Sequence, residues 1–132
     1  DIDTEVLAVA RNGVYPTSRL EPVPLDLQRK GFILGTGEIA GWAKVRPEIK
    51  KNIVFEQFNL KDTTFDLRQT FDVIFCRNVM IYFTSALIGQ IINNFYSVTN
   101  PGGVLFTGHS ESITNENSQW VYNRPSVYRK WD

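Results

Sequence analysis

Residues Phe71-Asp72-Val73-Ile74-Phe75-Cys76 form an apolar run broken only by Asp72. The run is too short for a buried helix and rich in β-branched and aromatic residues. It predicts a strand buried on both faces, as in the interior of a parallel sheet. Parallel neighbours need a long crossover between them, and the next residues supply one. Leu87, Ile88, Ile91, Ile92, Phe95 and Val98 recur at helical spacing over 84–98. Asn100-Pro101-Gly102-Gly103 is expected to end that helix, and Val104-Leu105-Phe106-Thr107 to form the next strand. Strand, helix, strand at this spacing implies an α/β fold with a mostly parallel sheet. The tail, 119–131, reads as two strands around Arg124-Pro125, an antiparallel hairpin at the sheet's edge.

Upstream the pattern changes. Ile2, Val6, Leu7 and Ala10 share one face of a first helix that Asp3 or Thr4 can cap and Gly13 stops, with Pro16 just beyond. Leu25-Asp26-Leu27-Gln28-Arg29-Lys30 is a short helix ended by Gly31. Phe32-Ile33-Leu34, Gly35-Thr36-Gly37 and the alternating Trp42-Ala43-Lys44-Val45-Arg46 predict a hairpin with one wet face. Asn52-Ile53-Val54-Phe55-Glu56-Gln57-Phe58 is expected to be a third strand running into Asn59. Gly35-Thr36-Gly37-Glu38-Ile39-Ala40 also matches the dinucleotide pattern G-x-G-x-x-G/A, with Glu56 at a plausible distance for a ribose. That pattern must open a helix, whereas Gly41 and Pro47 break the segment after it, so a hairpin turn is the expected outcome. The chain starts without methionine and enters a helix at once, which marks it as an expected fragment.

A chain of 132 residues is expected to hold one core. Its 42% apolar and 13% aromatic content argues against disorder. Fourteen basic residues balance fourteen acidic ones, so no positive field builds up to favour a nucleic acid or an anionic membrane surface. No apolar stretch reaches the ~18–20 residues that span a bilayer. One cysteine, Cys76, and one histidine, His109, leave no donor set for a structural metal, and the lone thiol suits the reducing cytoplasm.

In open α/β sheets, ligands bind beyond the carboxyl ends of the strands. Asp1 would lie at the end of a preceding strand, where a carboxylate can accept both hydroxyls of a ribose diol. Asn59-Leu60 follows the third strand and Arg77-Asn78 the buried one. Their amides suit an adenine edge or an amino-acid end, and equally the shaping of turns. Arg77 keeps its charge and so requires an anionic partner, either internal or a ligand. Tyr82, five residues on, can bring a hydroxyl to the same spot or serve as an ordinary core aromatic. His109 beside Ser110 makes no triad and is expected to fix a loop near the site; Cys76, among apolar neighbours, reads as an inert thiol.

The string Cys76-Arg77-Asn78-Val79-Met80-Ile81-Tyr82-Phe83, with the strand before it, closely resembles the signature of the CheR family, the chemotaxis receptor methyltransferases. Asp1-Ile2-Asp3-Thr4-Glu5-Val6-Leu7, Gly35-Thr36-Gly37, and Asn100-Pro101-Gly102-Gly103 through Gly108-His109-Ser110-Glu111 agree with it in order and spacing. The resemblance implies a Rossmann-like S-adenosylmethionine-dependent methyltransferase sheet, incomplete here, with a small antiparallel β-subdomain inserted at about 31–58. It also implies that the N-terminal helical domain and the glycine-rich cofactor loop lie outside this chain. The implied activity is esterification of glutamate side chains on chemotaxis receptors in the cytoplasm, with S-adenosylhomocysteine as product and no membrane insertion. By the same resemblance Asp1 holds the ribose, Asn59 and Leu60 border the adenine, Arg77 and Asn78 line the cofactor pocket, and Arg77 and Tyr82 are the catalytic pair. The β-subdomain docks a receptor tail as an added strand in some members. Lys44 and Arg46 are expected to put positive charge on that docking strand, while Leu34 stands where peptide-binding members carry an arginine. The alternative reading is a non-catalytic module that binds receptor tails through this subdomain.

Overall fold

The structure, a computed structural model, describes every residue except 63, 66, 68, 114–117 and 132. The expected single core is instead two compact units, Asp1–Asn59 and Leu60–Asp132. Among the described residues the two sheets share no strand.

In the first unit, helix α1 (Thr4–Asn12) starts at Asp3, whose Oδ1 accepts from the N–H groups of Glu5 at 2.8 Å and Val6 at 3.2 Å. Those are two of the donors that a helix start leaves orphaned. The helix ends at Gly13, which takes the left-handed conformation (φ +67°) and donates to the Val9 carbonyl. Strands β1 (Val14–Pro16), β2 (Phe32–Leu34) and β3 (Trp42–Val45) form an antiparallel sheet in the order β1-β3-β2. Its strands thus lie between 14 and 45, beginning well before the 31 expected for the subdomain. Helix α2 (Leu25–Gly31) leads into β2, and the short helix α3 (Pro47–Lys50) follows β3. The G-x-G segment opens only a 3₁₀ turn (Gly37–Ile39) inside the β2–β3 connection, as a hairpin requires.

The strand expected over 52–58 is not formed as such. Its end lies beside residue 1: Phe58 N–H donates to the Asp1 carbonyl at 2.9 Å, and the Asp1 ammonium donates to the Glu56 carbonyl at 3.2 Å. One residue bonded to positions one before and one after its opposite number is the parallel ladder pattern. It goes no further because Asp3 already caps α1.

The second unit holds β4 (Phe71–Cys76), helix α4 (Ser85–Ser97), β5 (Thr99–Thr107), β6 (Val121–Arg124) and β7 (Val127–Arg129). Their order is β4-β5-β7-β6. β4 and β5 are parallel across the α4 crossover, and the β6–β7 hairpin is antiparallel. Asn100-Pro101-Gly102-Gly103 belongs to β5 rather than to a helix stop. Phe71 pairs with Thr99 but Val73 with Val104, so this segment bulges between them. Proline has no N–H for a ladder, and a bulge is where a sheet tolerates it.

Ile91, Ile92 and Phe95 of α4 are buried, as are Leu105 and Trp120, whose indole N–H donates to the Ile92 carbonyl at 3.0 Å. β4 is not buried on both faces. It is an edge strand, and Val73 and Phe75 are 47% and 70% exposed. One crossover helix covers one face of a sheet. On the other, Phe75 stacks on its cross-strand partner Phe106 with centroids 4.7 Å apart.

Leu105, fully buried where α4 covers the sheet, should be costly to truncate. Leu105→Ala is expected to lower unfolding stability by about 2–5 kcal/mol, read from denaturant midpoints followed by Trp120 fluorescence.

Candidate functional site

β4 and β5 run parallel, so Cys76 and Thr107 bring two loops to one rim of the sheet. The loop after β5 is tied down first. Thr107 Oγ1 donates to the Glu111 carbonyl at 2.7 Å, Glu111 N–H to the Gly108 carbonyl at 3.0 Å, and Ser126 Oγ to the Gly108 carbonyl at 3.2 Å. Ile113 N–H donates to the hydroxyl of buried Tyr128 at 2.9 Å. Glu111 therefore projects from a braced turn, and its side chain is itself buried.

The Glu111 carboxylate accepts four backbone N–H bonds. Oε2 takes those of Asn78 at 3.0 Å and Gly108 at 2.7 Å; Oε1 takes those of Val79 at 2.8 Å and Met80 at 2.7 Å. Three successive N–H groups of the β4 exit loop thus converge on one anion, an arrangement of the nest type. Asn78 has φ +59° and Val79 is right-handed (φ −119°, ψ −41°), the alternation that points such groups inward. A left-handed asparagine stores strain on the order of 1 kcal/mol, which these charge-assisted bonds offset. Gly108 is required here. A Cβ at 108 would lie 2.6 Å from Glu111 Oε2, 2.7 Å from Asn78 Oδ1 and 3.0 Å from Asn78 N.

Burial acts to raise the pKa of Glu111, and the four N–H donors outweigh it, holding the carboxyl below its ordinary value of 4.5. Cys76 responds in the opposite sense: burial, and secondly the negative charge of Glu111, push its thiol up to about 11. It stays protonated at neutral pH, in keeping with the inert thiol expected from its neighbours.

The residues singled out in the sequence divide between the units. Arg77 leaves the end of β4 exposed, and its guanidinium makes no ion pair or hydrogen bond among the described residues. Asn78 follows it in the left-handed turn. Met80, 2% exposed, anchors the 3₁₀ turn Met80–Tyr82, which leaves Tyr82 79% exposed and so no core aromatic. Leu60 belongs to the same unit. Asp1 and Asn59 lie in the first unit, at the ends of two adjacent extended segments. Asp1 Oδ1 accepts from Asp3 N–H at 2.9 Å, and its second oxygen has no partner among the described residues.

Lys44 and Arg46 do not lie on a strand that could accept another. β3 is the central strand, with Lys44 opposite Val14 on one side and Ile33 on the other, so both of its hydrogen-bonding edges are filled. A strand could add only to β1 or β2. Arg46 lies past the end of β3, where Nη2 donates to the Arg29 carbonyl at 3.3 Å. His109 is exposed, and the loop-fixing expected of it is done by Glu111, two residues on. Sequence reasoning missed Glu111: a carboxylate three residues after Gly108, just beyond a strand end, carries no local mark of the distant N–H groups that it meets.

The family model described as "CheR methyltransferase, SAM binding domain" matches residues 1–128. The chain belongs to the CheR family. It is 42% identical over 115 residues to "Chemotaxis protein methyltransferase 2" of Pseudomonas aeruginosa, covering 87% of this chain and 41% of that protein. It is 41% identical over 129 residues to the "Chemotaxis protein methyltransferase" of Salmonella typhimurium and 40% over 129 residues to that of Escherichia coli. These alignments cover 97% of this chain, and 44% and 45% of those two proteins. The chain thus spans under half the length of the curated relatives it matches. The mixed sheet of the second unit and the antiparallel sheet of the first are consistent with a Rossmann-like CheR methyltransferase fold. Among the described residues no helix is long and apolar enough to cross a membrane.

The family's cofactor is S-adenosylmethionine. Each unit by itself carries a group whose chemistry such a nucleoside could use: in the first, an Asp1 carboxylate oxygen with no partner among the described residues; in the second, the Asn78 turn braced by Glu111.

The lowered pKa of Glu111 has a consequence for stability. A carboxyl whose folded pKa lies below its unfolded one stabilises the fold above the unfolded value and loses that contribution as pH falls through the folded one. Glu111→Gln should therefore trail the parent protein fully above pH about 4.5, with the gap narrowing below it. Denaturant midpoints measured from pH 7 to pH 3 on both proteins read that gap.

Proposed function

We propose that the protein carrying this chain transfers a methyl group from S-adenosylmethionine to glutamate side chains of chemotaxis receptors in the cytoplasm, forming methyl esters. Two kinds of observation support this reading: membership of the CheR family, and relatives named chemotaxis protein methyltransferases. The structural observation that carries it is Arg77. This exposed guanidinium has no anionic partner among the described residues and stands at the end of a parallel strand, beside a loop pinned by Glu111. The non-catalytic alternative finds no such support.

The acceptor glutamate has an ordinary pKa of about 4.3 and is already ionised at neutral pH. No general base is needed, and the Glu111 carboxylate is already engaged by four N–H donors. When bound, S-adenosylmethionine supplies an electrophilic methyl on a sulfonium and departs as S-adenosylhomocysteine. The protein's contribution is orientation. Arg77 receives the acceptor carboxylate through paired N–H bonds, and the Tyr82 hydroxyl fixes its direction of approach. A guanidinium held too tightly against the nucleophile would damp its reactivity, so Arg77 acts on position more than on charge. The family resemblance assigns Asp1 to the ribose hydroxyls, Asn59 and Leu60 to the adenine, and Asn78 to the cofactor's binding. Lys44 and Arg46 contribute positive charge to the β-subdomain, the part of the chain where the resemblance puts a receptor tail.

The test is transfer of labelled methyl from S-adenosylmethionine to receptor-containing membranes by the full-length protein. The product should be a base-labile ester, and absence of transfer refutes the activity. In that assay Arg77→Ala is expected to lower kcat by at least about 10²-fold while cofactor binding is partly kept. Tyr82→Phe should cost about tenfold to a hundredfold, the loss of one hydrogen bond to a charged group. Normal turnover of Arg77→Ala would remove Arg77 from the mechanism.

A further inference from the structure

We propose that Glu111 is a positioning residue for the transfer site. Its carboxylate sets the β4 exit loop in the one conformation from which Arg77, Asn78 and Tyr82 can address cofactor and acceptor. The proposal rests on the function proposed above and assigns a role to a residue that touches neither ligand.

The geometry carries it. Arg77 immediately precedes, and Tyr82 closely follows, the three residues whose N–H groups Glu111 collects, Asn78, Val79 and Met80. Those groups form a concave anion site, and in an unoccupied state they would turn to water or to a mobile ion and leave the loop several conformations. An internal carboxylate fills the site permanently. It is delivered from a turn held by Thr107, Ser126 and its own N–H bond to Gly108, so the loop takes its position from β5 and the β6–β7 hairpin rather than from its own sequence. The fourth bond, from Gly108 N–H, links the two loops through one carboxylate. Both oxygens are saturated by donors alone. A glutamine cannot replace this group, because its amide NH₂ would face two N–H groups wherever it pointed.

A purely structural carboxylate would act on how much protein folds. A positioning carboxylate acts on what each folded molecule does, and the two are separable. The full-length protein would be prepared as Glu111→Gln and as Gly108→Ala. The second keeps the charge but drives a methyl group into Glu111 Oε2 and the Asn78 backbone. The folded fraction is read by circular dichroism and thermal melting, the dissociation constant of S-adenosylhomocysteine by calorimetry, and kcat and KM by methyl transfer to receptor membranes. Per folded molecule, both variants are expected to bind the nucleoside at least tenfold more weakly, or to show a kcat at least tenfold lower.

Lower yield of protein with unchanged constants per folded molecule overturns the proposal, as does failure of both variants to fold, since Glu111 would then serve stability alone. If only one variant folds, its constants decide. If the parent protein binds the nucleoside but methylates no receptor, the function proposed above fails. The claim about Glu111 then still stands or falls on the nucleoside titration.

Discussion

The Glu111 carboxylate joins two loops that the chain separates by some thirty residues, and the residue that carries it is buried. A parallel βαβ unit brings the ends of β4 and β5 to one rim but leaves the loops beyond them without ladder partners. Backbone N–H groups in such loops need acceptors. Here one ionised side chain answers four of them, at 2.7–3.0 Å. The left-handed Asn78 and the glycine at 108 accommodate that anion, and it adds to the burial that keeps Cys76 protonated.

The reaction proposed above asks for placement rather than proton transfer. Its proposed acceptor, a glutamate side chain, carries its own negative charge, so a free base would be redundant and a cation able to receive a carboxylate from a fixed direction would be useful. Arg77 has that character because nothing described in its unit neutralises it. The neighbouring anion is turned inward and spent on backbone N–H groups, where it holds the loop without quenching the guanidinium's readiness for an outside partner. The exposure of Tyr82 follows from the same device, since buried Met80 fixes the 3₁₀ turn that presents it.

Much of the fold was legible because it is written in local patterns. The apolar stripe of α4, the Asp3 cap and Gly13 stop of α1, the β2–β3 hairpin and the β6–β7 pair at the sheet's edge all follow from periodicity and turn chemistry. The departures arise where a neighbour decides. Residues 52–58 have strand composition, but a ladder requires a partner, and among the described residues the backbone pairing they make is with Asp1. β4 has the composition of an interior strand yet exposes Val73 and Phe75, since burial depends on what covers each face. Asn100-Pro101-Gly102-Gly103 reads as a helix stop, and β4 and the C-terminal segment recruit it into a bulged strand. There Gly102 N–H donates to the Lys130 carbonyl, and Lys130 N–H to that of Gly103.

The candidate site shows the same division. Cys76-Arg77-Asn78-Val79-Met80-Ile81-Tyr82-Phe83 pointed to chemistry through its resemblance to the CheR signature, while its residues alone left Arg77 an internal partner or a ligand. Lys44 could not be placed, since strand order is a long-range property and the alternating pattern of β3 is the same in the centre of a sheet as at its edge. The role of Glu111 was also beyond the sequence. Local spacing determined α1, α4 and the β2–β3 and β6–β7 hairpins. Only the tertiary structure decided that a carboxylate following β5 would meet three N–H groups following β4, because hydrogen bonds between distant loops are set by how strands pair in space and leave no period in the chain.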